Sequence, residues 1–553
     1  MKIRIQFNFE YKRFVLFILG LFLISSLSAQ NLNIILGRPT DNAVTASIMF
    51  DKEVDYFIEY GTISGNYPNK SVVYKGLAGK PDEIDITGLS ASTKYFYRVN
   101  YKLTSSVNYT ISAEYSFHTQ RLKGEEFTFT LESDEHLYDK KGIKNMYQVT
   151  LNNQAKDKPD FMMSLGDIFG DDHNPYTITS GALDSLHKDY RPFLGSICHS
   201  IPFYVCLGNH EGENDFYYTK TPPNNLSIMG TLWRKYYYPN PSPNAFYSGN
   251  TDVENFGIGN PENYYAWTWG DAQFIVLDAY RDQCDTAAMP KGWEWSLGEK
   301  QYKWLQQTLE TSTAKYKFVF CHHVTGLGRG GVTNAKYFEW GGYEQNGKTY
   351  SFAKKRPGWA KPIHQLFVDN GVNIFFQGHD HLFAHEVLDG VVYQEVPMPS
   401  DSTYEIGMLA NASAYISDTI GGTGHVRVSV KQSCITVDFV RAYLPKDTLD
   451  GKHKNGEIAF SYTLGNCTAA GVDEQLSDKE LIKVAPVPAN DKISVYFAEN
   501  VGDFKLKLSN TFGEEMLTTN TKDLDVSTLP NGVYLLTIEA NNIITTRKII
   551  VNH

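Results

Sequence analysis

Apolar and polar positions alternate over short runs from about Gln30 to Arg121, at Val44, Ala46, Ile48 and Phe50 and again at Ile84 and Ile86. Period-two alternation bounded by turn residues predicts half-buried strands, so this stretch reads as a β-sandwich. From Phe127 to about Leu464 the pattern changes: continuous apolar runs of strand length alternate with segments of helical period. That is the mark of a layered α/β domain. A capping box at Ser296 and Glu299 predicts a helix with Tyr302, Leu305 and Leu309 on one face. Another helix is predicted to stop at Asn370-Gly371, where glycine can take the left-handed position after the last turn, with a strand from Val372 to Phe376 behind it. After a polar linker, alternation returns at Phe504, Leu506 and Leu508. The expected organisation is a leader (1–29), an N-terminal β-sandwich (30–121), a central α/β domain (122–465), a linker (466–479) and a small C-terminal β-sandwich (480–553).

The leader is read from Lys2, Arg4, Lys12 and Arg13 ahead of an apolar core, Phe14 to Leu27, closed by Ser28-Ala29. The core is short for a membrane span, and export is the expectation. The 553 residues carry a formal charge of −11. Removing the leader takes four basic residues and one acidic one, leaving about −14, which argues against a surface that grips a nucleic-acid backbone. Aromatic residues make up 14% of the chain and suggest β-rich domains with an aromatic-lined surface. A long insertion, Phe216 to Trp269, concentrates them and is a candidate pocket wall, with packing around the loop an equal explanation. The six cysteines show no paired spacing for zinc. Cys206 and Cys321 sit within apolar runs and read as buried thiols. The glycine-rich stretch Gly326 to Gly342 lacks the G-K-[ST] ending of a nucleotide-binding loop.

Chemistry concentrates where strands end. Five apolar runs finish in candidate ligands: Asp134 and His136 after Phe127–Leu131; Asp167 after Phe161–Leu165; Asn209 and His210 after Phe203–Leu207; His322 and His323 after Phe318–Cys321; and His379 and His381 after Asn373–Gln377. In open α/β sheets ligands bind beyond the carboxyl ends of strands. Glycines at 166, 208 and 378 are expected to let the backbone turn sharply there. Imidazole, carboxylate and amide oxygen together suit first-row divalent metals.

The order D-x-H, G-D, G-N-H-E, H, G-H-x-H resembles the calcineurin-like metallophosphoesterase family, whose core is a four-layer α/β sandwich. The resemblance implies two metal ions (Fe, Mn or Zn). Asp134, His136, Asp167 and His381 would hold one; Asp167, Asn209, His322 and His379 would hold the other, with Asp167 bridging. Alignment from the preceding strand favours His322 over His323. It further implies hydrolysis of a small phosphate ester, with a metal-activated hydroxide as nucleophile and His210 as the acid that protonates the leaving group. A monoester is the first expectation and a diester the alternative; a cell-surface binding protein with a disused central domain is the remote one. Asp171, Asp172, His173, Arg281, Arg329 and His323 are candidate substrate contacts, and Glu211 is expected to brace its turn. The N-terminal sandwich resembles a fibronectin type III-like module and the N-terminal module of purple acid phosphatases, through Leu89-x-x-x-Thr93-x-Tyr95-x-Tyr97; a spacer or docking role follows. Purple acid phosphatases have a metal-binding tyrosine three residues after the bridging Asp, where this chain has Gly170, and they lack the counterpart of His136. No tyrosinate-to-iron colour is therefore expected. The C-terminal unit, with Pro486-Val-Pro488 and Leu529-Pro-Asn-Gly-Val-Tyr534, is similar to the type IX secretion sorting domains of Bacteroidetes. That likeness implies passage through the periplasm to the cell surface or medium, with the secretion machinery as partner.

Overall fold

Strand register explains how the central domain is built. The computed structural model describes residues 31–137, 142–169, 174–218, 221–282, 291–326, 328–406, 410–417, 419–467, 482–497, 504–510, 513–540 and 543–553. The leader, Gly170 to His173 and most of the linker lie outside the described residues. The chain divides into two compact units, one ending at Leu464 and one starting at Gly465.

In the first unit, β1 (Phe127–Glu132), β2 (Phe161–Ser164) and β3 (Phe203–Val205) pair in parallel. Antiparallel strands Gly424–Val430 and Cys434–Arg441, followed by Ile458–Gly465 at the edge, extend this sheet beyond β1. A second sheet contains β4 (Tyr265–Trp269), β5 (Ala272–Val276), β6 (Tyr316–Phe320) and β7 (Ile374–Gln377). Of these, β5, β6 and β7 run parallel. Alternate residues of each strand go to different cores, as the pleat requires. Phe161 and Met163 of β2, Phe274 and Val276 of β5, and Phe318 and Phe320 of β6 share one apolar cluster between the sheets. Met162, Ile275 and Val319 join the cluster formed with the helices outside. Those helices are α1 (Lys144–Asp157), α2 (Ser180–Cys198), α3 (Leu226–Tyr237), α4 (Gly298–Thr311) and α5 (Ile363–Asp369). Both faces of each sheet are thus covered, which is why these strands read as continuous apolar runs.

The aromatic residues are mostly inside this sandwich, contrary to the expectation of an aromatic-lined surface. Phe320 stacks on Phe376 at 5.2 Å between ring centroids, and Trp267 on Tyr204 at 4.3 Å. From the insertion, Phe216, Tyr217, Tyr237, Tyr238 and Tyr247 are buried; ring packing, not a pocket wall, accounts for them. The helix predicted from a capping box at Ser296 begins later, at Gly298. Ser296 Oγ accepts the Gly298 N–H at 2.9 Å, and no side chain caps the helix. Tyr302, Leu305 and Leu309 are nonetheless its buried face. The helix α5 ends as expected, with Gly371 at φ 64°.

The N-terminal strands form two sheets around a core that includes Val44, Ala46, Ile48, Ile84, Ile86, Tyr97 and Val99. This sandwich is fastened to the central domain by buried polar bonds. The Arg191 guanidinium, on α2, donates to the Ser47 carbonyl at 2.7 Å and to the Tyr237 carbonyl. Tyr97 Oη donates to the His199 carbonyl at 2.6 Å. In the second unit, a three-stranded and a four-stranded sheet enclose Ile493, Val495, Leu506, Leu508, Leu536 and Ile549. Among the described residues no helix is long and apolar enough to cross a membrane.

Candidate metal centre

The loops leaving β1, β2, β3, β6 and β7 meet at one end of the sandwich. Five candidate ligands adopt left-handed backbone: Asp134 (φ 64°), His136 (47°), Asp167 (61°), His379 (75°) and His381 (54°). Non-glycine residues take this region at a cost of about 1–2 kcal/mol each, so the surrounding bonds must impose it. Glu211 does this at Asp167. Its carboxylate accepts the N–H groups of Asp167 at 2.9 Å, Ile168 at 2.8 Å and Gly208 at 2.6 Å. Asp134 Oδ2 accepts the His379 N–H at 2.8 Å, tying the first loop to the fifth.

The three glycines serve two purposes. Gly166 has φ 106° and needs its freedom. Gly208 and Gly378 do not have positive φ; they are required for close approach. A Cβ on Gly378 would lie 1.9 Å from Ser133 Oγ and 2.7 Å from Asp134 Oδ2. Gly378→Ala should therefore push the first and fifth loops apart and weaken metal binding by roughly ten- to hundredfold, the scale of a lost supporting contact. Titration of the protein with a divalent metal measures it, and unchanged affinity would refute the argument.

Ligand atoms converge in overlapping groups: Asp134, Asp167, His322 and His379; Asp134, His136 and His381; and His136, Asp167 and His210, the atoms of each group lying within 4.8 Å of one another. His136 Nε2 faces His381 Nε2 at 3.1 Å, and His322 Nε2 faces His379 Nδ1 at 3.2 Å. Two nitrogens on one tetrahedral cation, each about 2.0–2.1 Å from it, are about 3.3 Å apart. Asp134 Oδ1, Asp167 Oδ2 and Asn209 Oδ1 are buried and accept no hydrogen bond. Buried oxygens of this kind normally have a partner, and a cation would supply it. His322 Nδ1 lies 2.8 Å from the Leu165 carbonyl, which fixes the ring with Nε2 toward the cluster. His323 falls outside these groups: its Nδ1 lies 3.0 Å from the Val324 carbonyl and its ring meets Trp295 at 4.6 Å.

Residues 127–383 match the family model for calcineurin-like phosphoesterases. The chain carries a calcineurin-like phosphoesterase domain. It is a metal-dependent phosphoester hydrolase. Residues 483–552 match the secretion system C-terminal sorting domain, which marks the chain for export as a secreted or cell-surface protein. No curated relative matches the sequence. Among solved structures, a purple acid phosphatase, PPD1, from yellow lupin (Lupinus luteus) seeds is 14% identical, covers 78% of this chain and 74% of its own, and superposes with a TM-score of 0.50. PhoD is 15% identical, covers 78% of this chain and 90% of its own, with a TM-score of 0.54. At these identities the likeness concerns the fold.

The electrostatics of the phosphoesterase domain suit cations. Burial would raise the carboxyls of Asp134 and Asp167, yet both lie well below the usual range. His322 and His381 outweigh burial at Asp134, and His322 and His210 at Asp167. Burial would lower His322, but Asp167 and Asp134 raise it to about 9. Burial and the neighbouring His322 hold His379 well below the ordinary imidazole range and lower His323 to about 3. Binding of cations to these groups would therefore be coupled to release of a proton from His322.

The candidate substrate contacts divide. Arg281 is buried and spent on Glu254 and Thr231. His323 is buried behind the ligands. The Arg329 side chain is 41% exposed beside His379. Asp171, Asp172 and His173 lie outside the described residues. One network escaped the sequence reading: Glu132, buried on β1, accepts Tyr147 Oη at 2.8 Å and Gln154 Nε2 at 2.5 Å beneath the first loop. A glutamate within an apolar strand was its only signal.

Proposed function

We propose that this is an exported phosphatase that hydrolyses a small phosphate monoester. Asp134, His136, Asp167 and His381 would hold one transition-metal ion, and Asp167, Asn209, His322 and His379 a second. A pair of such ions supplies positive charge for the phosphoryl oxygens and an activated water as nucleophile. The single observation behind this reading is the convergence of three buried, unbonded oxygens with two facing imidazole pairs.

The remaining work falls to the chain's own side chains. Asp167 Oδ1 accepts the His210 N–H at 2.8 Å, which fixes that residue's backbone. The His210 side chain is 17% exposed, with Nε2 3.8 Å from Asp167 Oδ2. It can therefore reach both the cluster and an entering ester, and it would protonate the departing oxygen at Nε2. Glu211 keeps the two loops in register while this happens. The leader at 1–29 and transit through the periplasm complete the proposal for export.

Turnover of a monoester and a diester with the same leaving group, on metal-loaded protein, tests this. The monoester should be the better substrate, and a chelator should abolish turnover until metal is restored. Cleavage of the diester alone would replace the proposal with a phosphodiesterase. No turnover of either would defeat it.

A further inference from the structure

We propose that Arg329 is a substrate-contacting residue, held ready by Asp380 to take the non-reacting oxygens of a dianionic phosphate. Asp380 is the middle residue of Gly378-His379-Asp380-His381, between two candidate ligands, and is 1% exposed. Its Oδ2 accepts the Gly330 N–H at 2.6 Å and Tyr415 Oη at 2.7 Å; its Oδ1 accepts Arg329 Nη1 at 2.9 Å. Its own N–H donates to Glu395 Oε1 at 3.1 Å. This carboxylate is therefore a rigid anchor. Arg329 Nη1 also donates to the His379 carbonyl at 3.1 Å, which places the guanidinium against the backbone of a candidate ligand.

Only Nη1 is engaged in this way. Among the described residues, Nη2 and Nε of Arg329 have no protein acceptor, and the side chain is 41% exposed. A guanidinium whose sole purpose was to pin the loop would be expected to use its fork on the buried carboxylate. Here one nitrogen is fixed and two are left for an oxyanion. The planar, permanently charged group suits phosphate oxygens. An added positive charge at the rim favours a dianionic monoester over a monoanionic diester, so this inference rests on the monoesterase reading and sharpens it.

Inorganic phosphate binding to the metal-loaded full chain, measured by calorimetry, tests it. Arg329→Gln should weaken phosphate affinity roughly ten- to hundredfold, as expected for a lost charge-assisted bond, with metal content and thermal stability retained. Asp380→Asn should reproduce part of that loss. The double variant should lose no more than Arg329→Gln, because both act through one contact. Monoester kcat/KM should fall by the same factor, and diester kcat/KM by less than about threefold. Unchanged phosphate affinity in Arg329→Gln, or equal losses on both esters, would overturn the proposal. Normal affinity in Asp380→Asn beside a loss in Arg329→Gln would remove the anchoring role. If the natural protein cleaves only diesters, the monoesterase reading falls, and phosphate affinity still decides on Arg329.

Discussion

Asp167→Asn should cost the protein at least one of the two metals proposed for it and lower turnover by roughly 10³-fold or more, the scale on which stabilisation of developing charge acts. The side chain is 1% exposed, and its two oxygens have separate duties. Oδ1 accepts the His210 N–H at 2.8 Å. Oδ2 makes no hydrogen bond and lies 3.2 Å from His322 Nε2 and 3.9 Å from His136 Nε2. Those imidazoles belong to the two different facing pairs, so a charge at Oδ2 serves both. Asparagine keeps the volume and an oxygen for His210 but removes that charge. Folding should therefore survive, with circular dichroism close to the natural protein, while metal analysis falls from two ions to one or none. Two retained metals with near-normal turnover would show that Asp167 does not join the sites.

His210→Ala should lower turnover by about 10²–10⁴-fold on an ester with a basic leaving group, the range of general acid catalysis. On an ester with an acidic leaving group the loss should be much smaller, since that group departs without a proton. Metal content should stay at the natural value. The alternative is specific, because a ring nitrogen of His210 groups with a ring nitrogen of His136 and a carboxylate oxygen of Asp167, all within 4.8 Å of one another. If His210 is a ligand, the alanine variant loses metal, and both substrates suffer alike. Unchanged turnover on the basic leaving group would remove the acid role.

The strand-end motifs were legible because the physics is local. A strand buried on both faces shows as an apolar run, and the polar residue that ends it faces the open end of the sheet. What could not be read depends on partners far away in sequence. The left-handed backbone at Asp134 and His379 is held in part by a carboxylate-to-amide bond that spans 245 residues. The preceding strand already favoured His322 over His323, but the orientation of its ring is set by the Leu165 carbonyl, 157 residues earlier. The glycines at 208 and 378 looked like turn residues, yet the reason for them is the neighbouring loop's bulk. The aromatic insertion left a pocket wall and internal packing equally open, because ring content signals contact without saying whether the contact is with a ligand or the core. The Arg329–Asp380 pairing required Tyr415 and Gly330, which no spacing announces.

The fastening of the N-terminal sandwich has a practical corollary for anyone trimming this protein. A fragment beginning near residue 122 would leave Arg191 without its Ser47 acceptors and uncover the flank of α2 on which Leu32–Gly37 lies. Water could replace the acceptors of the guanidinium, but the apolar side chains that Ile35 shares a cluster with, Tyr190 and Leu194 among them, would lose their cover on the helix that follows the second ligand loop. The minimal soluble catalyst is thus expected to include the leading module, and attempts to express the hydrolase alone should yield aggregates.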